Sequence, residues 1–333
     1  MAIYGTNLPT LLDWSRRLDP KGKIDTVVNL LAETNQILED MVWVEGNLPT
    51  GHQTTVTTGL PEPTWRTLYG GVQPSKGTTK QVVDTCGMLE ARPQIDIDLA
   101  KLNGNSAEWR LSEERMHIEG MNQAMANTLF YGDTRDTPER FMGLHPRFSD
   151  KSAEDGSQIV DAGGQGTDNT SIWLVTWGPN TVHGIFPKGS KAGLQITDNG
   201  KQTVTDPVNN GRYDVLESHY KWDCGLSVRD WRYVVRIANI DVSALSTFNS
   251  AADSAANLIR LLIEAVEIPP EVNLGRPAIY CNKKVRTWLR IMMTEKDNVH
   301  LSIDEVAGKK VLTFDGIPVR RCDKILNTES RII

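Results

Sequence analysis

Hydrophobic and polar positions recur with two different periods along this chain, and the changes of period mark out its elements. From residue 24 to 44, Ile24, Val27, Val28, Leu31, Leu38 and Met41 fall on one stripe at helical spacing, and Gly46 and Pro49 end it. A shorter helix is predicted over 8–18. The period then drops to two. Threonines alternate around Val56, which suits extended backbone. Gly59-Leu60-Pro61-Glu62-Pro63 cannot continue a ladder, because proline lacks a donor and restricts its predecessor. Extended character is predicted again over 64–69, before Gly70-Gly71 and Pro74 break it. Residues 46–80 therefore form a long two-legged loop or hairpin.

After a mixed stretch at 81–103, helical spacing returns. Ser106 is a candidate N-cap with Glu108 in the first turn, and a helix can run to Tyr131 with Trp109, Met116, Ile118, Met121, Met125 and Leu129 in phase. Its length would be about 39 Å, more than a small core needs. Residues 149–171 are polar and glycine-rich, a loop. Strands are predicted at 171–178 and 183–187, and through the alternation around Trp222, Leu226, Val228, Trp231 and Val234. A helix over 249–268 closes at Pro269-Pro270, and Asn282 caps another carrying Val285, Trp288, Leu289, Met292 and Met293. "KVLTFDGIPVRR" predicts a hairpin about Asp315-Gly316, with Pro318 marking an edge strand. The sum is α+β, without βαβ alternation or internal repeats.

Composition narrows the function. With 333 residues, 39% hydrophobic and 23% charged, the chain suits a soluble globular protein with a sizeable core. A net charge of −6 argues against nucleic acid as the primary ligand, since phosphate neutralisation supplies most of that affinity. No apolar run reaches membrane-spanning length, and the first twenty residues lack a secretory signal pattern. Cys86, Cys224, Cys281 and Cys322 are too scattered for a disulfide framework or zinc site. Asn169-Thr170-Ser171 matches a glycosylation sequon by chance.

A search for chemistry yields no catalytic, cofactor-binding or metal-ligating residue. "AGGQGTDN" lacks the spacing of a nucleotide cradle, and "GIFPKGSK" lacks the lysine of a phosphate loop. "DIDLAKLNGN" lacks the third ligand and terminal glutamate of a calcium loop. His117 has no second histidine four residues away, and no G-x-S-x-G elbow exists. Arg229, Arg232 and Arg236, and Lys283, Lys284, Arg286 and Arg290, read as solvated or subunit-facing surface before they read as a nucleic-acid patch. Nine tryptophans outnumber six phenylalanines, and tryptophan leads interface hot spots as well as filling cores.

Several stretches together resemble the major capsid protein of tailed bacteriophages, in a podophage-type branch of the Hong Kong 97 (HK97-like) fold. They are "TTGLPEPTWRTLYGGVQPSK" (57–76), "TLFYGDTRDTPERFMGL" (128–144), "NTSIWLVTWGPNTVHGIFPKGSKAGL" (169–194), "WDCGLSVRDWRYVVRIANID" (222–241) and "TFDGIPVRRCDKIL" (313–326). The resemblance implies an N-terminal arm (1–45), an extended loop (46–80), a peripheral domain (81–242) with spine helix 106–131, and an axial domain (243–333). In that fold the G-x-P-V hairpin precedes the closing strands. Here it ends the chain, which implies a permuted order. The implied function is a non-enzymatic shell protein, self-assembling through hexamers and pentamers in the host bacterial cytoplasm. Scaffold, portal and decoration proteins are the implied partners, and packaged DNA is touched only weakly and non-specifically. Pro61, Pro63, Trp65, Arg66 and Tyr69 are the candidate inter-subunit contacts. Lys76 and Lys80 lie where some members of the fold cross-link, but nothing marks a carboxylate partner and no cross-link is predicted. Two alternatives stay open: an encapsulin-like shell around cargo enzymes, and a hydrolase or ligand-binding module using the 149–171 loop.

Overall fold

The computed structural model describes residues 33–102, 106–206, 210–245, 258–271, 274–294, 301–306 and 309–333. The helix expected over 8–18, the part of 24–44 before residue 33, and residues 249–257 lie outside them. The chain divides into two compact units, interleaved along the sequence.

The larger unit takes residues 34–87, 127–192 and 224–333. Its hub is the strand Asn169–Trp177, in which all nine residues are buried. The run of β-branched and aromatic side chains does not alternate, as expected when both faces are covered. Val234–Asp241 and Arg276–Cys281 pair antiparallel to it on either side. Arg276–Cys281 pairs parallel with Ile317–Arg321, which continues through Lys309–Phe314 to Leu301–Val306.

One face of this sheet is covered by helices Leu258–Glu267 and Lys283–Thr294. Leu258, Leu262 and Ala265 on the first, and Val285, Leu289 and Met292 on the second, repeat at i, i+4 and i+7 and join one core with the sheet. Asn282 caps the second helix, accepting from the Lys284 N–H at 3.1 Å.

Two expectations need correcting here. Among the described residues of the helix expected over 24–44, only Ile37–Asp40 is helical, and Trp43–Glu45 forms a strand parallel to Gly184–Phe186. Met41 and Trp43 close over Gly184, where a Cβ would come within 2.8 Å of both side chains, so packing overrides the period. Pro318 is not on an edge strand. Ile317–Arg321 lies between two partners, and its ladder with Arg276–Cys281 begins at Val319, so the missing donor costs no bond there. Arg276–Cys281 and Ile317–Arg321 are parallel, but the chain between them runs through helix Lys283–Thr294 and the strands Leu301–Val306 and Lys309–Phe314, so the α+β reading without βαβ alternation stands. The hairpin turn is as expected, with Asp315 and Gly316 both at positive φ (51° and 78°). Within the polar stretch 149–171, Ile159–Asp161 forms a short strand parallel to Val234–Asp241.

The smaller unit holds residues 88–126 and 193–223 besides the N-terminal segment. The 26-residue helix Ser106–Tyr131 begins in it and continues into the larger unit. Trp109, Met121, Met125 and Leu129 are buried along this helix, but Met116 and Ile118 stay more than a third exposed, so the predicted stripe is only partly an inner face. Trp109 packs with Ile95 and Ala100. Arg110 reaches Asp198 and Ser218, each at 2.9 Å, on a long hairpin formed by Gln195–Thr205 and Arg212–Val228. The first strand of that hairpin has no signal in the sequence, because none of its eleven residues is buried.

None of the four cysteines is in a disulfide, and Cys224, Cys281 and Cys322 are buried. Burial pushes the Cys281 thiol up to about 12. Iodoacetamide at about pH 8 should leave these three thiols largely unmodified in the native chain and modify them after denaturation, read by peptide mass spectrometry. Rapid native labelling of Cys281 would contradict its placement.

Candidate functional site

The feature that stands out is the segment that projects from the larger unit. Gly51–Gly59 and Thr78–Ala91 form an antiparallel ladder from Gly51↔Thr85 to Gly59↔Thr78. This is the two-legged hairpin expected over 46–80. Between the legs, residues 60–77 form no strand or helix. No strand forms over 64–69, where extended backbone was expected. The chain turns instead, with Gly70 N–H donating to the Thr67 carbonyl at 3.0 Å and Tyr69 at a left-handed φ of 66°.

All five candidate contact residues, Pro61, Pro63, Trp65, Arg66 and Tyr69, lie exposed at this tip. Leu60 is 84% exposed, Leu68 87%, Tyr69 102% and Trp65 103%. The tip is held by its own bonds, Ser75 Oγ to the Glu62 carbonyl and Thr58 Oγ1 to Thr78 Oγ1, each 3.0 Å. A monomer seldom leaves so many large apolar groups together in water, and each could contribute about 1.5–3 kcal/mol if covered.

The foot of the hairpin is polar and tightly built. Asp84, 4% exposed, accepts from Arg147 Nη2 at 2.7 Å and Ser227 Oγ at 2.9 Å. The Gly225 backbone passes so close beneath that a Cβ there would stand 2.7 Å from the Thr85 carbonyl oxygen. Gly225→Ala should therefore destabilise the unassembled chain by about 1–3 kcal/mol in denaturant unfolding. A neutral result would mean the hairpin yields at its foot. Beside the hairpin an open groove of about 580 Å³ is lined by Thr54–Leu60, Asn180 and Arg229–Arg232. Its arginines are engaged, Arg232 with Asp230 and Arg229 with Asn180.

The basic clusters separate in the fold. Arg232 is exposed, but Arg236 is completely buried, contrary to the surface reading. Its guanidinium pairs with Glu329 at 2.8 Å, donates to Ser171 Oγ and the Phe148 carbonyl, and stacks 4.9 Å over Trp173. The one sequence signal for this was a lone charge inside the apolar run "YVVRIANI". Tryptophans divide likewise: Trp109, Trp173 and Trp177 fill the interior, while Trp65 meets only solvent. In the 149–171 loop, Asp161 is occupied by Lys151, Asn239 and the Gly163 N–H. Among the described residues, no three His, Cys, Asp or Glu side chains are placed to hold a metal, and no helix is long and apolar enough to cross a membrane.

A projecting hairpin with an exposed apolar tip, a long helix and a helix-covered central sheet together define an HK97-like capsid fold, that of a shell-forming protein. The chain belongs to the family described as Major capsid protein GP7, which matches residues 19–333. It is similar to a chain in the near-atomic structure of bacteriophage Epsilon15, with 36% identity over 100% of this chain and 99% of that chain and a TM-score of 0.81. The capsid of the native GTA particle is 12% identical, covering 70% of this chain and 99% of that one, with a TM-score of 0.43. The holo-SrpI encapsulin complex from Synechococcus elongatus PCC 7942 is 11% identical, covering 76% and 96%, at 0.42. These last two are too distant to carry an argument. No curated protein matches the chain.

Proposed function

We propose that this major capsid protein assembles through hexamers and pentamers into an icosahedral shell around a phage genome, with residues 46–80 reaching onto a neighbouring copy. The observation that carries this reading is the uncovered tip, with Leu60, Trp65, Leu68 and Tyr69 all more than four-fifths exposed. A closed shell of identical chains must bury large area in heterologous contacts, and a projecting arm supplies area without enlarging the core. Pro61, Pro63, Trp65, Arg66 and Tyr69 are its contacts in this proposal, the prolines stiffening the approach and the aromatics anchoring it.

Residues 1–45 serve as a second arm, and 81–242 and 243–333 take peripheral and axial positions. Side chains from both sides of residue 242 share one core, so these are roles in the shell and not independently folding parts. The role is structural, without catalysis. Scaffold, portal and decoration proteins are its further partners during assembly in the host cytoplasm, and the net charge of −6 keeps contact with packaged DNA weak.

Negative-stain electron microscopy of the purified full chain, alone and with a scaffold, tests the proposal. Hexamers, pentamers or closed shells are expected. Monomers at every concentration and condition would refute it. Particles that enclose protein cargo instead of DNA when recovered from the producing cell would favour the encapsulin-like alternative.

A further inference from the structure

Two cross-strand pairs meet at the foot of the hairpin. His52 stands opposite Asp84 on the legs of the loop, and His183 opposite Ser227 on the strands of the body. The pairs are in contact: Ser227 Oγ donates to Asp84 Oδ2 at 2.9 Å, and the rings of His52 and His183 lie edge to face with centroids 5.6 Å apart. Arg147 closes the group from the short helix Leu144–Arg147, at 2.7 Å from Asp84 Oδ1. His183 is 1% exposed and Ser227 fully buried. One carboxylate already answers the Arg147 guanidinium, and Arg229 also acts on both imidazoles. Asp84 is the one carboxylate that acts on both imidazoles, and it is already engaged by Arg147.

We propose that this junction is an acid-sensitive hinge, which holds the hairpin against the body while His52 and His183 are neutral and releases it when they take up protons. Burial of His183 is the main force keeping it neutral, aided by His52 and Arg229 and opposed by the Gly178 carbonyl and Asp84, and it holds the ring at about 4. Burial likewise lowers His52, with Arg229 aiding and Asp84 opposing. An opened foot returns both rings to water and to an ordinary value of about 6.5. The closed foot is therefore at full strength above about pH 6.5. It weakens as pH falls, because the open state binds more protons, and the loss levels off near the folded value of about 4. Opening should become on the order of tenfold to a hundredfold more frequent between about pH 7 and pH 4.5.

The inference deepens the loop reading and rests on residues 46–80 being an arm that reaches onto a neighbouring copy. Hydrogen–deuterium exchange of the unassembled full chain tests it, with protection corrected for the intrinsic pH dependence. Peptides from strands 51–59 and 78–85 should lose protection as pH falls, while helix 283–294 should not. The double variant His52→Gln/His183→Gln should remove most of that pH dependence. Equal slopes in variant and wild type, or no loss in wild type, would overturn the hinge. Should the variant not fold, slow C2-hydrogen exchange of the wild-type histidines decides alone: His183 titrating well below 6 supports the hinge, and titration at 6.5 or above refutes it. Because the unassembled chain is measured, a negative result leaves shell assembly standing, and a failure to assemble leaves the exchange result standing.

Discussion

Glu329→Ala should destabilise the chain by about 3–5 kcal/mol, because it strands a buried guanidinium. Arg236 is wholly buried, and burial lowers its affinity for its proton even with Glu329 beside it. The Glu329 carboxylate accepts from Arg236, Ser171 Oγ and the Tyr131 hydroxyl, which burial and that same carboxylate hold well above the ordinary phenol range. The same residue fastens the C-terminal segment. Its N–H donates to the Asn169 carbonyl, and nearby Leu326 N–H reaches Tyr131 Oη while Ile332 is bonded to Asn239 through both N–H and carbonyl. Denaturant unfolding of the unassembled chain would measure the loss. Arg236→Met combined with Glu329→Leu should recover most of it, since an apolar pair of similar volume leaves no charge without a partner. A loss under about 1 kcal/mol for Glu329→Ala would mean that water or another acceptor reaches Arg236.

Trp65→Ala should abolish or severely weaken assembly while leaving the fold intact. The side chain is 103% exposed, so the single chain loses no packing, and its unfolding free energy should change by no more than about 0.5 kcal/mol. In the shell the same ring would be an aromatic anchor, where truncation typically costs 2 kcal/mol or more, about thirtyfold in each contact's affinity. Every subunit repeats that loss, so the concentration needed for assembly should rise by at least that factor. Sedimentation against a thermal melt separates the two effects. A melt lowered as much as assembly would place Trp65 in a core and defeat the loop reading. Normal assembly would show that the tip anchors through other residues.

Much of the fold is legible in local pattern. The long helix, the capping Asn282, the Asp315-Gly316 turn and the buried strand around Trp173 each depend on side chains within a few residues of one another. The hairpin was legible for the same reason, as threonines favour extended backbone and Pro61 and Pro63 forbid a continued ladder. The exposed strand Gln195–Thr205 was not, since it buries nothing and so carries no hydrophobic period. The foot of the loop was equally hidden. His52, Asp84, Arg147, His183 and Ser227 come from five separate stretches, and none belongs to a motif.

The amino-acid sequence by itself determined the class of elements, the projecting loop and the kinship with capsid proteins, because these rest on local propensity and on residue runs. Only the tertiary structure decided that Arg236 is an interior residue clasped by Glu329, that Trp43–Glu45 leaves the helix for Gly184, and that Trp65 is left uncovered while Trp109, Trp173 and Trp177 are enclosed. Burial and pairing are properties of distant segments brought together. A charge or a ring reads the same in the chain whether water or the core will surround it.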